Sequence, residues 1–391
     1  MRNWFAKSAL ACGAISLLVS TAAAQALKPA VALIDAADAQ QWREWVTPLG
    51  WQVIVPAASD NAIDARVLAV AAAVHEAAGG GSVDAAHIYL VASGDASAAL
   101  FYTISRLPDL FAAALAVGGS PEGALDTGRI FAINFSNSPV LWVSSGAGDE
   151  TLANKLKAAG MNLEWRSAAG LSTAVPFQWL ASHAREPFPA TVDCETNSPT
   201  FASCFWLQPV KFDVGERNDL LPMTRIAGGS GAALALGNFT YQVDDPGPGL
   251  LVSQLPPKYE GPLKLGDRLV ELDGKPIANA AQFRQTMSQI TEEKRVVVMV
   301  QRGKQRQRVE TSIVLPRREA SPTARVQGKY EAADRQILIV SRSVTELRVT
   351  IPEAWTGAGL FWNGLAMEHI DKPGCLLLTI DKELLHAAPC P

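Results

Sequence analysis

Short apolar segments alternate with helical segments from residue 27 to about residue 208, and this alternation limits the folds that the chain can adopt. The strand-like segments are 31–34, 51–55, 87–92 and 140–144, and the helical ones are 40–47, 62–78, 154–159 and 177–183. Strands that alternate with helices form a mostly parallel sheet with helices on both faces. We therefore expect residues 27–208 to form one α/β domain.

The third of these strands ends in a turn that constrains function as well as fold. After the buried strand come Ser93-Gly94-Asp95, a helix of small residues and a second apolar run at 113–117. This stretch resembles the nucleophile elbow of α/β-hydrolases of the dienelactone-hydrolase and feruloyl-esterase-like families. In that elbow, small residues stand two positions on either side of a serine. Ala92 and Ala96 are the small pair here, so the centre is Gly94, which has no nucleophile.

Two nearby serines are alternative nucleophiles. An elbow centred on Ser93 places Val91 and Asp95 at the flanking positions, and both side chains are too large for the turn. Ser97 lies one turn into the following helix. The alternative for both is structural: Ser93 supports the turn, and Ser97 faces solvent or caps the helix.

The resemblance also indicates where the other catalytic parts should lie. Asp149, in the loop after strand 140–144, stands where related enzymes carry the acid. Residues 88–182 contain no histidine, and Leu171 occupies the matching position. His183 is the substitute that remains. The first strand is followed by Asp35-Ala36-Ala37-Asp38, in which two carboxylates replace the glycine-rich oxyanion loop of the family.

Loss of the nucleophile alone typically reduces turnover by several orders of magnitude. The resemblance, with serine, histidine and oxyanion loop all replaced, therefore implies a pseudoenzyme. The alternative is an active, carboxylesterase-like serine hydrolase that uses Ser93 or Ser97 with Asp149 and His183. No cofactor is expected in either case.

Residues 225–316 follow a different pattern. This region contains a strand at 249–255, the turn Gly266-Asp267, the hairpin turn Asp273-Gly274, a helix at 280–290 and two strands around Arg302-Gly303. This pattern resembles a PDZ domain of the bacterial type, which is a small, barrel-like sheet with a helix. PDZ domains bind a peptide as an added strand and often hold its terminal carboxylate on backbone N–H groups.

The resemblance places the peptide groove between a strand near 239–243 and the helix 280–290. The residues assigned to peptide binding are Leu236, Gly237, Phe239, Tyr241, Phe283 and Met287. Phe283 and Met287 are four residues apart and share one helix face. We expect them to line the side-chain pocket; the alternative is that they only fill the core of the domain.

The N-terminus has the features of a signal peptide over residues 1–24. Arg2 and Lys7 are followed by an apolar run at 8–19 and by small residues at 21–24. Cys12 lies too early in the apolar run for a lipid-anchor cysteine. No later stretch reaches the ~18 apolar residues of a membrane-spanning helix. We expect a cleaved, periplasmic or secreted protein.

Four cysteines remain after signal cleavage, and an even count in an exported chain favours disulfides. Of the three possible pairings we expect the local one, Cys194–Cys204 and Cys375–Cys390. Their spacing is not typical of a zinc site, and the chain has only 5 histidines. No metal site is expected.

The C-terminal region, 323–386, follows a polar linker and is predicted to be a small β module. Strands are expected at 337–340, 346–351 and 376–380, and no catalytic motif is present. Trp355, Trp362, Asn363 and His369 are either surface residues or, in the interpretation that we favour, core and turn residues.

The overall composition limits the partners. The chain has 391 residues, 48% of them hydrophobic, and a net charge of −4, which argues against nucleic-acid binding. The expected partner is a peptide segment, or the C-terminus, of another exported protein. The sequence thus predicts an α/β-hydrolase-like domain, a PDZ domain and a β module in an interaction protein.

Overall fold

The computed structural model describes residues 26–59, 62–146, 148–226, 232–237, 239–242, 245–290, 292–315, 322–367, 369–381 and 384–391. The predicted signal peptide, with Cys12, lies outside these residues.

The first unit is a parallel sheet flanked by helices. Its strands are β1 (Lys28–Leu33), β2 (Gln52–Ile54), β3 (Val83–Ser93), β4 (Ala113–Val117), β5 (Ile130–Phe131), β6 (Val140–Ser144) and β7 (Leu163–Ser167). Its helices are α1 (Ala39–Val46), α2 (Ile63–Gly79), α3 (Ala96–Arg106), α4 (Glu122–Asp126), α5 (Asp149–Ala158) and α6 (Ala174–Ala181). Six strands form one sheet in the order β2-β1-β3-β4-β6-β7, with every pairing parallel.

Each face of this sheet packs against its own set of helices. Tyr89 and Val91 of β3 belong to a core that includes residues of α1 and α6. Ile88 and Leu90 belong to a second core that includes residues of α2, α3 and α5. The alternation follows from the two-residue period of a strand. The predicted α/β architecture, a parallel sheet with helices on both faces, is confirmed.

Three strands follow this unit in the chain: β8 (Thr191–Thr196), β9 (Leu207–Phe212) and β10 (Arg225–Ile226).

The next unit is the predicted PDZ region. It contains β11 (Ala233–Leu234), β12 (Thr240–Tyr241), β13 (Leu250–Gln254), β14 (Arg268–Leu272), β15 (Lys275–Pro276), α7 (Ala280–Ser288), β16 (Lys294–Arg302) and β17 (Gln305–Val314). The sheet runs β11-β17-β16-β14-β13-β12, and β15 pairs with β14. Asp273 and Gly274 both have positive φ, of 52° and 75°, as the expected two-residue hairpin turn requires.

The last unit is a sandwich of two antiparallel-rich sheets. Its remaining strands are β18 (Ala324–Glu331), β19 (Gln336–Arg342), β20 (Val344–Ile351), β21 (Gly359–Trp362), β22 (Leu365–Met367), β23 (Gly374–Asp381) and β24 (Leu384–Pro389). One sheet has the order β22-β21-β19-β18-β8 and the other β24-β23-β20-β9. Trp355 and Trp362 are buried between the sheets, and Asn363 accepts a hydrogen bond from the Ser341 N–H (2.8 Å). His369 is exposed.

The sandwich is assembled from two chain segments. β8 and β9 precede the PDZ region, whereas their partners β18 and β20 follow it. Residues 191–212, of which 191–208 belong to the range predicted as hydrolase-like, therefore pack with the C-terminal module. The domain limits 27–208, 225–316 and 323–386 stay predictions.

Two features join the segments of the sandwich. Arg325 of β18 donates two hydrogen bonds to the carboxylate of Asp193 on β8 (2.9 and 2.8 Å), and both side chains are 9% exposed. Arg342 of β19 lies 3.1 Å from the buried carboxylate of Glu195, also on β8. These pairs neutralise charges that would be costly to bury alone.

Both predicted disulfides are present, Cys194–Cys204 and Cys375–Cys390. Within the part of the chain that the structure describes, no helix is long and apolar enough to cross a membrane.

Candidate functional site

The strand–turn–helix between β3 and α3 has the geometry of a nucleophile elbow. Gly94 has a φ of +54°, and its carbonyl oxygen accepts the N–H of Ser97 (3.0 Å) to begin the helix. A left-handed residue between strand and helix is the strained position at which hydrolases carry their serine. A Cβ built on Gly94 would have no atom within 4 Å. The position therefore has room for a side chain that this sequence lacks.

This turn lies at the topological switch point of the sheet. From β1 the chain moves outward to β2, whereas from β3 it moves the other way to β4, so the switch falls between β1 and β3. Ligand crevices in such sheets open at the carboxyl ends of the strands at this point. Here the loops after the two strands meet, and the hydroxyl of Ser93 donates to Asp38 Oδ2 at 2.5 Å. The crevice therefore contains a carboxylate where hydrolases place N–H donors.

The remaining polar candidates are each bonded locally. Ser97 is fully buried, and its hydroxyl donates to the carbonyl oxygen of Gly118 (2.9 Å), so it neither faces solvent nor caps α3. Asp149 Oδ2 accepts the N–H of Gly146 (2.8 Å) within its own loop. The carboxylate thus stabilises the start of α5, where a negative charge suits the helix dipole.

His183 lies beside the middle of β3 rather than at its end. The hydroxyl of Tyr89 donates to the carbonyl oxygen of His183 (3.1 Å), and His183 Nδ1 lies 2.8 Å from the carbonyl oxygen of Trp179. Burial is the larger of two effects that raise the pKa of Tyr89 to about 12, and the negative charge of Asp84 is the smaller. The phenol therefore stays protonated and acts as a hydrogen-bond donor. Ser93 is four residues further along the strand, which corresponds to about 13 Å. Among the described residues, Ser93, Asp149 and His183 thus bond to three different partners.

A serine at position 94 tests whether the elbow needs only its nucleophile. Gly94→Ser should fold, at a cost of about 1–2 kcal/mol for a non-glycine residue at positive φ. Ester hydrolysis should remain at the level of the wild-type protein, because the new hydroxyl has no histidine to deprotonate it. The assay is p-nitrophenyl ester turnover of the purified variant. Turnover above wild type would mean that a base lies within reach.

The second candidate site is the edge of the PDZ sheet. β12 pairs with β13 on one side and, among the residues that the structure describes, has no neighbouring strand on the other. The ring of Tyr241 on β12 meets Phe283 of α7 edge-on, with 6.2 Å between ring centroids. Phe239 in turn lies 6.3 Å from Tyr241. The structure therefore places the strand residues Phe239 and Tyr241 beside Phe283 of the helix, with aromatic rings filling the space between strand and helix.

The helix residues of the predicted groove also belong to the domain core. Phe283 and Met287 are 8% and 5% exposed and pack in one apolar cluster with Leu236. Gly237 has a φ of +78°, and the hydroxyl of Tyr259 donates to the carbonyl oxygen of Leu236. Tyr259 was not a predicted site residue, since no local pattern links it to a loop more than twenty residues earlier.

The groove is bordered by the first unit. The Nε atom of Arg284 on α7 lies 3.5 Å from the Oε2 atom of Glu122 on α4. Burial raises the pKa of Tyr241; Arg284 opposes this shift, whereas Asp126 and Glu122 add to it. Acidic residues of α4 thus lie near the PDZ edge, which the sequence did not indicate.

The Gly266-Asp267 turn of the PDZ region makes its stability sensitive to acid. Burial disfavours the charged form of Asp267, but two hydrogen bonds from Arg302 (2.8 and 2.7 Å) and one from the Lys264 N–H (2.7 Å) outweigh it and lower the pKa. A lowered pKa in the folded state stabilises the fold above the unfolded value of about 3.9, and this contribution is lost as the pH falls through the folded value.

We therefore expect the PDZ domain of Arg302→Gln to lose less stability on acidification than the wild type. The difference should arise below about pH 4, where Asp267 protonates in the wild type. Urea titrations at pH 7 and pH 3, read by the exchange of β16 amides, measure the difference. Arg306→Gln, at an exposed position of the same hairpin, is the control. An unchanged acid dependence in Arg302→Gln would contradict the assignment.

Comparisons with known proteins support the assignment of the second unit. Residues 241–313 match the PDZ domain family, so this region is a PDZ domain. No curated protein matches the chain. An esterase from Rhizomucor miehei is similar over 41% of this chain and 74% of its own, with 9% identity and a TM-score of 0.32. Bacterial heroin esterase is similar over 40% and 72%, with 12% identity and a TM-score of 0.30. Likeness at this level carries no conclusion about activity.

Proposed function

We propose that this protein is an exported, non-catalytic interaction protein that captures a peptide at the edge of its PDZ domain. The observation that carries the proposal is the position of β12, an edge strand beside α7 in a PDZ domain. An edge strand offers unpaired backbone groups to an added strand, which is how PDZ domains bind peptides. The partner is a peptide segment, or the C-terminus, of another exported protein.

Six residues are assigned to this site: Leu236, Gly237, Phe239, Tyr241, Phe283 and Met287. The loop at Leu236 and Gly237 would present the backbone N–H of Gly237 to a terminal carboxylate, since the N–H of Leu236 already donates to the carbonyl oxygen of Leu234 (2.7 Å). The ring of Tyr241 contacts Phe283, so a peptide side chain reaches the apolar pocket only when this ring moves aside. A rotation of one half-buried ring is within the ordinary side-chain adjustments of binding.

The test is a library of C-terminal peptides bound to the full mature chain, because Arg284 contacts α4 and an isolated PDZ fragment would lack this contact. The best peptide should bind with a Kd in the micromolar range, and its C-terminal amide should bind at least tenfold more weakly. Tyr241→Ala should change the Kd of the best peptide at least fivefold relative to the wild-type protein.

Arg306→Gln, on the hairpin at the other side of the sheet from β12, should leave the affinity unchanged. If no peptide binds below about 1 mM, or if Tyr241→Ala and Arg306→Gln behave alike, the groove is not a peptide site.

The non-catalytic part of the proposal is supported by glycine at the centre of the elbow and by the local partners of Ser93, Asp149 and His183. It is tested with a fluorophosphonate probe on the mature protein. We expect no labelling. Labelling that disappears in Ser93→Ala or Ser97→Ala would instead establish a serine hydrolase.

The export of the protein is supported by the signal-like residues 1–24 and by two disulfides, which persist in oxidising compartments. Expressed in a Gram-negative host, the protein should appear in the periplasmic fraction with its N-terminus close to residue 25. A cytoplasmic protein that keeps Met1 would contradict export.

A further inference from the structure

A cavity on the outer face of the sandwich has no role in either site described above. It has a volume of about 420 Å³ and lies over β9, β20 and β23. Its lining includes Ser203, Phe205, Gln208, Arg348, Thr350 and the Cys375–Cys390 disulfide. The strand register explains the grouping, since Arg348 stands opposite Gln208 on one side and Leu377 on the other, and Thr350 stands opposite Cys375. A volume of this size suits a small ligand.

Arg348 brings a positive charge to this cavity. Its Nε is shielded from solvent and has no hydrogen-bond partner among the described residues. Glu346, two residues earlier on the same strand face, lies 3.5 Å from Lys211 and is thereby already paired. A shielded N–H without a partner is unfavourable, and such groups call for an explanation. A bound anion would supply one.

Phe205 brings a strained aromatic ring to the same cavity. It has a φ of +57° in a tight turn that two backbone hydrogen bonds between Cys204 and Leu207 close, each of 2.9 Å. Glycine or asparagine normally occupies such a position, and a bulky residue there is an outlier. The Cys194–Cys204 disulfide and a hydrogen bond from the Phe205 N–H to Asp109 (3.2 Å) hold the loop. Strain maintained in this way is characteristic of ligand-binding positions.

We propose that this cavity binds a small carboxylate carried on a flat ring. A guanidinium binds a carboxylate through two parallel hydrogen bonds, and one positive charge matches one negative charge. The amide of Gln208 and the hydroxyl of Thr350 add neutral donors on the same sheet face. A phosphate carries nearly two charges and would need a second cation, whereas the described residues of the lining include one arginine and no lysine. Phe205 supplies the surface against which the ring packs.

The test uses the full mature protein with benzoate as probe, in ligand-observed NMR. Acetate has the charge without the ring, and benzyl alcohol has the ring without the charge. We expect benzoate to bind with a Kd of about 1 mM or below, and each of the other two to bind at least tenfold more weakly. Arg348→Gln should weaken benzoate at least tenfold, and Arg348→Lys, which keeps the charge but not the paired donors, should weaken it less.

Two further variants separate binding from folding. Lys211→Gln removes a positive charge from the same sheet outside the cavity and should leave benzoate binding within twofold. Phe205→Asn suits the backbone angle and removes the ring, so benzoate affinity should fall to that of acetate. Equal binding to the wild type and Arg348→Gln, or no binding at about 20 mM benzoate, far above the expected Kd, would overturn the proposal.

Discussion

Replacing Asp193 by alanine should lower the free energy of unfolding of the sandwich by about 3–5 kcal/mol. The change leaves Arg325 with 9% exposure and without the carboxylate that accepts two of its hydrogen bonds. A buried charge without its partner loses the attraction but keeps the desolvation cost. The measurement is urea denaturation, followed through the exchange of β8 and β18 amides, since the chain has several units and a single transition is not assured.

Two companion variants make this result specific. Asp193→Ala with Arg325→Met removes both charges and should recover at least half of the lost stability, because no unpaired ion remains. Glu346→Gln breaks the more exposed Lys211–Glu346 pair and should cost less than about 1 kcal/mol. If the double variant were less stable than Asp193→Ala, the pair would not be the cause.

Replacing Gly328 by alanine should destabilise the sandwich by about 2 kcal/mol or more through overpacking. A Cβ at this position of β18 would lie 2.5 Å from the Trp206 ring and 2.7 Å from Leu207. The Trp206 ring is buried and its Nε1 donates to the carbonyl oxygen of Pro189 (2.9 Å), so it cannot move without losing that bond.

The melting temperature of the sandwich measures this effect. Gly79→Ala in α2 is the matched control, because a Cβ there has no atom within 4 Å and alanine favours a helix. We expect this control to match or exceed the wild type. A Gly328→Ala variant as stable as Gly79→Ala would show that the two sheets can separate at no cost.

The fold of the first unit could be predicted because its strands are buried on both faces and stand out as apolar runs. The apolar segments 113–117 and 140–144 coincide with β4 and β6 at both ends. β7 was not predicted, since an edge strand with one buried residue has no clear apolar period. Helix α5 begins at Asp149 rather than at 154, because acidic residues favour a first turn without adding an apolar signal.

The candidate sites were predictable only in part. The elbow register centred on Gly94 follows from side-chain size, and the positive φ at that residue agrees with it. The partners of Ser93 and His183 depend on contacts across 55 and 94 residues, which no local pattern encodes. Arg348 likewise appears in the sequence as one polar residue in an alternating strand, and only the strand register places it beside Gln208.

The division of the sandwich between two chain segments has a consequence for biosynthesis. β8 emerges from the ribosome more than a hundred residues before β18, with which it must pair. During that interval the carboxylate of Asp193 lacks its partner Arg325, whereas the PDZ segment between β8 and β18 is already complete. The intervening domain is thus positioned to fold first, and long-range pairing of this kind is slow. During synthesis, chaperones should therefore bind residues 191–212 in preference to the PDZ domain that separates these residues from their partner strands.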